Sequence, residues 1–352
     1  MVSETTNQAS GAFKGDERHL MPQECEFWQM NRIPRSPLYP KTRYSRWLQT
    51  DSEKNYNKHG NKEFTVESVG YDFNMLGYRS PEFQRKPGEF GVMFLGDSNT
   101  LGLGTPWEGL WTSHVVNHLE KRWGAPVRQL NLAWGGTGSD YTAMMLHQTI
   151  EVLQPEAVFI LWSFVGRMTW FANARCQVHF IPEFMPDAYA KDHSAYLRLA
   201  TEPHGFFNYV RNFHLVNDRL SRLQIPFYWG NLEQFSEEML APYLPLDGYV
   251  GRWKTIDLAR DGWHGGLKSH AHFAKLVVSA IERDALSPRI ASPAETRFPI
   301  PITSTDLPVI PAARAKRGKS IHTLMRMVSG FIDQLRMARR IRAMKRKDPF
   351  IY

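Results

Sequence analysis

Residues 91–100 have the sequence GVMFLGDSNT, in which an apolar run is followed by glycine and then by polar residues. The four consecutive apolar residues, Val92 to Leu95, predict a short strand that is buried on both faces. The run ends at Gly96, and Asp97 and Ser98 follow directly. The carboxyl ends of buried parallel strands are where open α/β sheets bind their ligands. Ser98 is therefore a candidate functional residue.

A helix start is predicted shortly after this strand. A glycine-rich loop, residues 99–104, leads to Thr105-Pro106-Trp107-Glu108. In this sequence Thr105 is placed as the N-cap, Pro106 at the first helical position and Glu108 in a capping box. We therefore expect a helix over about residues 106–123.

Short apolar segments alternate with amphipathic segments along the next 160 or so residues. The apolar segments predict strands, and the segments with apolar residues at helical spacing predict helices. The predicted strands cover 126–133, 157–162, 225–229 and about 249–256, and the predicted helices cover 139–153, 206–223 and 267–283. This alternation indicates a parallel sheet with helices on both faces.

The segments outside this alternation define the expected domain organisation. Residues 1–88 are expected to form an extended N-terminal arm and an edge segment, with β-type composition at 64–73. The α/β domain is expected over 89–286, with an irregular aromatic insertion at 165–200. A proline-rich linker is expected over 287–318, followed by a basic amphipathic helix or tail over 319–352.

Composition and charge argue against a disulfide-rich, secreted or membrane-spanning protein. Two cysteines suggest neither a disulfide framework nor a metal-ligand spacing. The first 18 residues lack the apolar core of a secretory signal, and no apolar run approaches the roughly 20 residues of a membrane span. A cytoplasmic location is therefore expected. The net charge is +8, but residues 314–347 alone contain twelve Lys/Arg and one acid, so the remainder is mildly acidic.

Four residues fit the chemistry of a nucleophilic serine: Ser98, His264, Asp261 and Gly136. A serine needs a base that takes its proton and a site that receives the developing negative charge. His264 follows Asp261 by three residues, a spacing that allows the carboxylate to orient the imidazole toward Ser98. Gly136 follows the second predicted strand, so its N–H is a candidate oxyanion donor beside the N–H of Ser98.

At this point the sequence resembles the SGNH (GDSL) hydrolases over roughly residues 70–285. The resemblance is carried by Gly96-Asp97-Ser98, by Asn131 through Gly136 and by Asp261-x-x-His264, in this order, with Asn74-x-x-Gly77-x-Arg79 upstream. It implies a three-layer α/β/α fold with a flavodoxin-like sheet of about five parallel strands. It also implies ester hydrolysis through an acyl-serine, with Ser98 as nucleophile, His264 as base, Asp261 as orienting carboxylate and Gly136 as oxyanion donor.

One part of the family pattern is absent. The family usually has an asparagine after the third strand, whose side-chain amide is a further oxyanion donor. Here the strand is followed by Ser163-Phe164-Val165-Gly166-Arg167, and Asn173 lies further on. Ser163, Arg167 and Asn173 are alternatives, of which Arg167 is favoured because a guanidinium can stabilise an oxyanion strongly. Asn99, next to the nucleophile, is a further substrate-facing candidate.

No metal or organic cofactor is expected. His270 and His272 lack a matching carboxylate or cysteine, and Gly102-Leu103-Gly104 lacks the lysine of a phosphate loop. Any of the eleven tryptophans could stack on a sugar, with Trp107, Trp134, Trp170 and Trp263 nearest the strand ends, although core packing explains most of them.

The predicted helix at 319–347 has an apolar stripe among its basic residues. Membrane-surface binding, phosphate contacts with nucleic acid and docking on a protein or particle are the alternatives to a solvated tail. The stripe favours docking, since a phosphate binder does not need it. The closing residues 346–352 are similar to the ends of some phage-encoded proteins, which would make the protein virion-associated.

The sequence thus predicts a serine esterase, with a short acyl group such as O-acetyl on a carbohydrate as the expected substrate. The alternative is a catalytically weakened SGNH-like domain that acts as a structural or binding module. The absent asparagine favours the alternative, and the presence of Ser98, Asp261 and His264 favours the enzyme.

Overall fold

The computed structural model describes residues 33–36, 43–173, 176–181 and 190–288. In chain order its strands are β1 (Tyr44–Ser45), β2 (Tyr71–Asp72), β3 (Phe90–Gly96), β4 (Val127–Asn131), β5 (Ala157–Trp162), β6 (Met168–Asn173), β7 (Cys176–Phe180), β8 (Phe227–Asn231) and β9 (Tyr249–Arg252). Its helices are α1 (Glu53–His59), α2 (Ser98–Leu101), α3 (Trp111–Trp123), α4 (Ser139–Leu153), α5 (Ala190–Leu199), α6 (Glu202–Arg222), α7 (Glu237–Leu240) and α8 (Leu267–Arg283).

The centre of the fold is a five-stranded sheet in the order β4-β3-β5-β8-β9. Every neighbouring pair is parallel. The first strand of the sheet, β3, lies between the second and the third, so the chain reverses its winding direction there. Parallel α/β sheets open a ligand-binding crevice at the carboxyl ends of strands at such a point. The predicted three-layer α/β fold with a flavodoxin-like parallel sheet is confirmed.

Two apolar cores cover the two faces of the sheet. One contains the inward side chains of α4 and α6, including Leu146, Ile150 and Phe213. The other contains those of α3 and α8, including Trp111 and Phe273. Side chains of β3 and β5 alternate between the two cores, since successive residues of a strand point to opposite faces. This burial on both faces explains the continuous apolar runs of the strand sequences.

The segment before the sheet is partly folded rather than simply extended. Within residues 43–73 it forms the pair β1–β2 and the helix α1, whose N-cap is Ser52. Of the region 64–73 only Tyr71 and Asp72 form a strand. Phe64, Tyr71 and Phe73 are buried in a third small core with Leu101 and Leu103, which follow the β3 turn. The N-terminal segment therefore packs directly beside the end of β3.

Two local predictions are wrong. The helix expected from residue 106 begins only at Trp111, after a single 3-10 turn over Trp107–Gly109. The expected cap does not form: the N-caps are Pro106 and Leu110, neither with a side-chain capping hydrogen bond, and the Thr105 hydroxyl donates to Gly265 O at 3.4 Å. The insertion at 165–200 is also not irregular throughout. It contains the antiparallel hairpin β6–β7 and the helix α5.

The predicted linker, apart from residues 287 and 288, and the predicted basic helix at 319–347 lie outside the described residues. None of the helices in the described part of the chain combines the length and the apolar run that crossing a membrane requires.

Candidate active site

Ser98 is the first residue of α2 and follows a sharp turn at the end of β3. Asp97 is the N-cap of α2, and its Oδ1 accepts the N–H of Asn99 at 2.9 Å. The preceding residue, Gly96, has φ +151°, and a Cβ there would lie 2.3 Å from Thr100 Oγ1 and 2.8 Å from Leu161 O. Only glycine fits this close approach. The turn therefore brings Ser98 to the carboxyl end of the central strand.

Ser98, His264 and Asp261 form one hydrogen-bonded chain. Ser98 Oγ lies 2.8 Å from His264 Nε2, and His264 Nδ1 lies 2.6 Å from Asp261 Oδ2. The carboxylate can only accept, so Nδ1 carries the proton and Nε2 accepts from the Ser98 hydroxyl. Ser98 and Asp261 are almost completely buried, whereas the His264 side chain is 16% exposed. Ser98, His264 and Asp261, which the sequence predicted to act together, are thus joined by hydrogen bonds.

The carboxylate of Asp261 receives donors on both oxygens. Oδ1 accepts the backbone N–H groups of Trp263 at 3.0 Å and His264 at 3.1 Å. Oδ2 accepts the Thr50 hydroxyl at 2.9 Å in addition to the imidazole. Burial alone would raise the pKa of Asp261, but the hydrogen bonds from His264 and Trp263 lower it below its ordinary value. Asp261 is therefore an ionised group that orients His264.

Ser98 and Gly136 follow the carboxyl ends of the neighbouring parallel strands β3 and β4, and each carries a backbone N–H group. Gly136 has φ +80°, and a Cβ on it would approach Ile181 Cδ1 to 2.9 Å. The loop that carries it is fixed to the end of β3, because Trp134 N donates to Gly96 O at 3.3 Å. Within the described residues, neither Ser98 N nor Gly136 N has an acceptor. Both are available to a ligand oxygen.

The side chains of Arg167 and Ser163 both form hydrogen bonds with the carboxylate of Asp97. Arg167 Nη1 donates to Asp97 Oδ2 at 2.5 Å and to Ser163 Oγ at 3.1 Å. Ser163 Oγ in turn donates to Asp97 Oδ2 at 3.4 Å. Asp97 is fully buried, so this ion pair compensates a carboxylate that water cannot reach. Within the described residues Arg167 Nε is buried and has no partner.

The two asparagine candidates lie on different elements, Asn99 in α2 directly after Ser98 and Asn173 at the end of β6. Asn99 Nδ2 donates to Asp97 Oδ1 at 3.4 Å, so its side chain supports the turn. Asn173 pairs with Cys176 where the hairpin β6–β7 reverses.

Arg79, in the upstream segment of the family pattern, fixes the loop that follows α2. Its guanidinium is fully buried and donates to the carbonyl oxygens of Gly70, Leu101, Gly102 and Thr105. Burial lowers the pKa of Arg79 to about 10, so it remains protonated at neutral pH. Arg79 therefore connects the N-terminal segment to the helix that carries Ser98.

Sequence reasoning missed a tight turn of the N-terminal segment at this site. Leu48 and Asp51 exchange two backbone hydrogen bonds, of 2.8 and 2.9 Å, and Gln49 and Thr50 form the tip. Gln49 has φ +51°, and its carboxamide lies against Gly135, where a Cβ would be 1.9 Å from Oε1. The Thr50–Asp261 contact joins residues 211 positions apart. No local sequence signal could have identified it.

Two of the four tryptophans named from the sequence are exposed. Trp263 is 64% exposed beside His264, and Trp170 on β6 is 57% exposed. Trp134 is buried in the core and Trp107 is half-buried. A shallow depression of about 350 Å³ lies next to Trp263 rather than over Ser98, and it is lined by His59, Asp257 and Lys268 among others.

No group of three or more metal-binding side chains occurs within the described ranges. His270, one of the two histidines weighed as ligands, accepts the N–H of Trp111 on Nδ1 at 3.2 Å. Burial lowers its pKa to about 3, so it is a neutral core residue.

No family model and no curated protein sequence matches this chain. Among solved structures, the chain is similar to the lipase Lip_vut3 from a goat rumen metagenome, with 13% identity, a TM-score of 0.35, and coverage of 54% of this chain and 97% of the lipase. TesA gives 13% identity, a TM-score of 0.36, and coverage of 55% and 98%.

A two-domain esterase active on acetylated mannans is similar at 16% identity and a TM-score of 0.37, over 59% of this chain and 53% of the esterase. These neighbours are lipases and esterases, but likenesses this weak carry no argument about the activity of this chain. The fold assignment rests on the sheet order, and the functional proposal rests on the site itself.

Proposed function

We propose that this protein is a serine esterase that hydrolyses an ester through an acyl-Ser98 intermediate. The observation that carries this proposal is the hydrogen-bonded chain from Ser98 Oγ through His264 to Asp261, with distances of 2.8 and 2.6 Å. A buried serine at a strand end, a base within reach of its proton and a carboxylate behind the base are the components that nucleophilic catalysis requires.

In the first half-reaction Ser98 Oγ attacks the ester carbonyl carbon while His264 Nε2 accepts the hydroxyl proton. The carbonyl oxygen becomes an oxyanion and accepts the N–H groups of Ser98 and Gly136. The tetrahedral intermediate collapses, the bond to the leaving alcohol breaks, and the imidazolium returns its proton to that alcohol. Asp261 stays ionised throughout and stabilises the imidazolium.

In the second half-reaction a water molecule attacks the acyl-serine, with His264 accepting its proton. The same two N–H groups receive the negative charge. Collapse of this intermediate releases the carboxylic acid and returns the proton to Ser98 Oγ. No cofactor takes part in this scheme.

Arg167 is the proposed third oxyanion donor in place of the absent asparagine. Its Nη1 is committed to Asp97, but Nε and Nη2 form no hydrogen bond with the described residues. Its guanidinium is paired with Asp97, the residue directly before Ser98, and a positive charge near the nucleophile favours an anionic transition state. Ser163 acts on this view by supporting Arg167 and Asp97.

The proposed substrate is a short acyl group, such as O-acetyl, on a carbohydrate. The exposed ring of Trp263, the residue directly before His264, supports this choice, since an exposed aromatic face suits a sugar ring, and Trp170 is a second exposed ring on β6. The alternative of a binding module is supported by the absence of a side-chain amide at the end of β5.

The test is hydrolysis of p-nitrophenyl acetate and of acetylated oligosaccharides by the full chain and by Ser98→Ala. We expect turnover by the parent and none above background by the variant. Equal rates for the two proteins would reject the esterase. If neither turns over while both bind the acetylated oligosaccharides, the binding module is the correct function.

A further inference from the structure

The turn at Leu48–Asp51 is fixed by a buried ion pair at its last residue. The carboxylate of Asp51 pairs with the guanidinium of Arg260, with Nε–Oδ1 and Nη2–Oδ2 distances of 3.0 and 2.6 Å. Both side chains are fully buried. The hydroxyl of Tyr71 donates to the same carboxylate. A buried pair with this many partners allows the turn little freedom.

The guanidinium of Arg260 is also bound to the backbone of the N-terminal segment. It donates to the carbonyl oxygens of Arg46, Val66 and Val69 at 2.6 to 2.9 Å. Arg260 precedes Asp261 directly in the chain. The contacts that fix the turn therefore fix the backbone from which the Asp261 side chain projects.

Thr50, at the tip of this turn, contacts the Asp261 carboxylate itself. Its hydroxyl donates to Oδ2 at 2.9 Å, and Oδ2 is the oxygen that accepts His264 Nδ1. The other donors to this carboxylate, Trp263 N, His264 N and His264 Nδ1, all belong to the residues two and three positions after Asp261. Within the described residues, Thr50 supplies the donor to Oδ2 that does not move with His264.

We propose that Thr50 is a positioning residue for the catalytic carboxylate, so that the N-terminal segment is part of the active centre. Thr50 sets the plane of Asp261, and Asp261 in turn sets the direction in which His264 Nε2 faces Ser98. This inference rests on the proposed esterase function. A purely structural role, in which Thr50 only closes the turn, makes a different prediction for an isosteric variant.

The decisive variant is Thr50→Val, which keeps the shape of the side chain and removes the donor. We expect kcat for a small ester to fall about 10-fold with KM within about twofold, as for the loss of one hydrogen bond to a charged group. Thr50→Ser restores the hydroxyl and should recover most of kcat. Thr65→Val is the matched control, since Thr65 lies on the same segment with an exposed side chain.

A second measurement does not depend on turnover. The proton between His264 Nδ1 and Asp261 Oδ2, which lie 2.6 Å apart, should give a low-field proton NMR signal in the parent protein that is absent in His264→Gln. We expect this signal to shift and to exchange faster with solvent in Thr50→Val, and to match the parent in Thr50→Ser and Thr65→Val. If Thr50→Val does not fold, Thr50→Ala is compared with Thr50→Ser in the same two measurements.

Parent-like kcat and an unchanged signal in Thr50→Val would overturn the proposal. So would a fall in kcat that Thr50→Ser does not recover, or a rise in KM alone. If the parent itself hydrolyses no ester, the esterase function is rejected, and the NMR comparison still decides whether Thr50 orients the Asp261–His264 pair.

Discussion

Arg260 and Asp261 are neighbours in the chain, and their side chains form ion pairs or hydrogen bonds with two different residues. The guanidinium of Arg260 lies 2.6 Å from Asp51 in a fully buried ion pair. The carboxylate of Asp261 lies 2.6 Å from the imidazole of His264. The ion pair thus fixes the peptide that carries the orienting carboxylate of the proposed active site.

Removing one member of this pair should destabilise the whole domain. In Asp51→Asn the guanidinium of Arg260 stays buried without its counter-charge, so we expect the free energy of unfolding to fall by about 3–5 kcal/mol. Urea denaturation measures it. Glu151→Gln removes an acid from the half-exposed pair with Arg219 and should cost no more than about 1 kcal/mol. Equal effects in the two variants would contradict this role of the pair.

Replacing the orienting carboxylate should affect turnover more than binding. Asp261→Asn presents an amide to His264 Nδ1 and favours the wrong tautomer, so we expect kcat for a small ester to fall by about 10⁴. KM should change little. The control is Asp247→Asn, at an exposed position. Retention of a tenth or more of the parent kcat in Asp261→Asn would remove Asp261 from the mechanism.

The third oxyanion donor is tested at Arg167. Arg167→Ala should lower kcat by about 10²–10³ and leave KM for a small ester nearly unchanged, because the contact strengthens in the transition state. Arg167→Lys should recover only part of kcat, since an ammonium lacks the planar fork. Because Asp97 also loses its ion-pair partner, the unfolding of both variants is measured in parallel. Parent-like turnover in Arg167→Ala would exclude the guanidinium and make Ser163→Ala the next variant.

His270 should make the stability of the fold depend on pH. Burial lowers its pKa from 6.5 to about 3, so the unfolded chain binds one more proton than the folded protein between these values. This contribution to stability is complete above pH 6.5 and decreases as the pH falls toward 3. Its slope is about 1.4 kcal/mol per pH unit.

His270→Gln should remove this slope, measured by urea denaturation between pH 6 and pH 4, whatever its effect at neutral pH. His204→Gln, at an exposed position on α6, should keep the slope of the parent. A parent-like slope in His270→Gln would show that the histidine is not neutral in the fold.

The basic C-terminal segment is expected to act independently of catalysis. Deletion of residues 314–352 should leave small-ester turnover at the parent level and change assembly or surface binding. Steady-state kinetics and light scattering measure the two effects. A folded but inactive truncation would assign this segment to the active site.

The sequence predicted the parts of the fold that depend on local periodicity. The bounds expected for β5, α4 and α8 agree with the structure, because apolar spacing and flanking breakers define them. The start of α3 was wrong, since the expected Thr105 cap does not form and the N-cap of α3 is Leu110. The Thr105 hydroxyl contacts Gly265 O, 160 residues away, and a local capping pattern does not reveal such a contact.

The same distinction holds for the candidate site. Ser98, His264 and Asp261 were identified because their spacing has a chemical meaning within each short motif. The contacts of Arg167 with Asp97 and of Thr50 with Asp261 were not predicted, since they depend on which side chains the sheet brings together. The sequence around Asp97 does not indicate its ion pair with Arg167, because the burial of Asp97 follows from tertiary packing rather than from its neighbours in sequence.

The buried pair between Asp51 and Arg260 also bears on how the chain is made. Its partners are 209 residues apart, so Asp51 leaves the ribosome long before Arg260 exists. Contacts of such separation form late in folding, because the intervening loop must first be ordered. The core formed by α4 and α6 can assemble while the N-terminal segment is still free, whereas the core on the other face needs α8, which follows Arg260. We therefore expect nascent chains that end before Arg260 to bury only one face of the sheet and to lack a competent active centre.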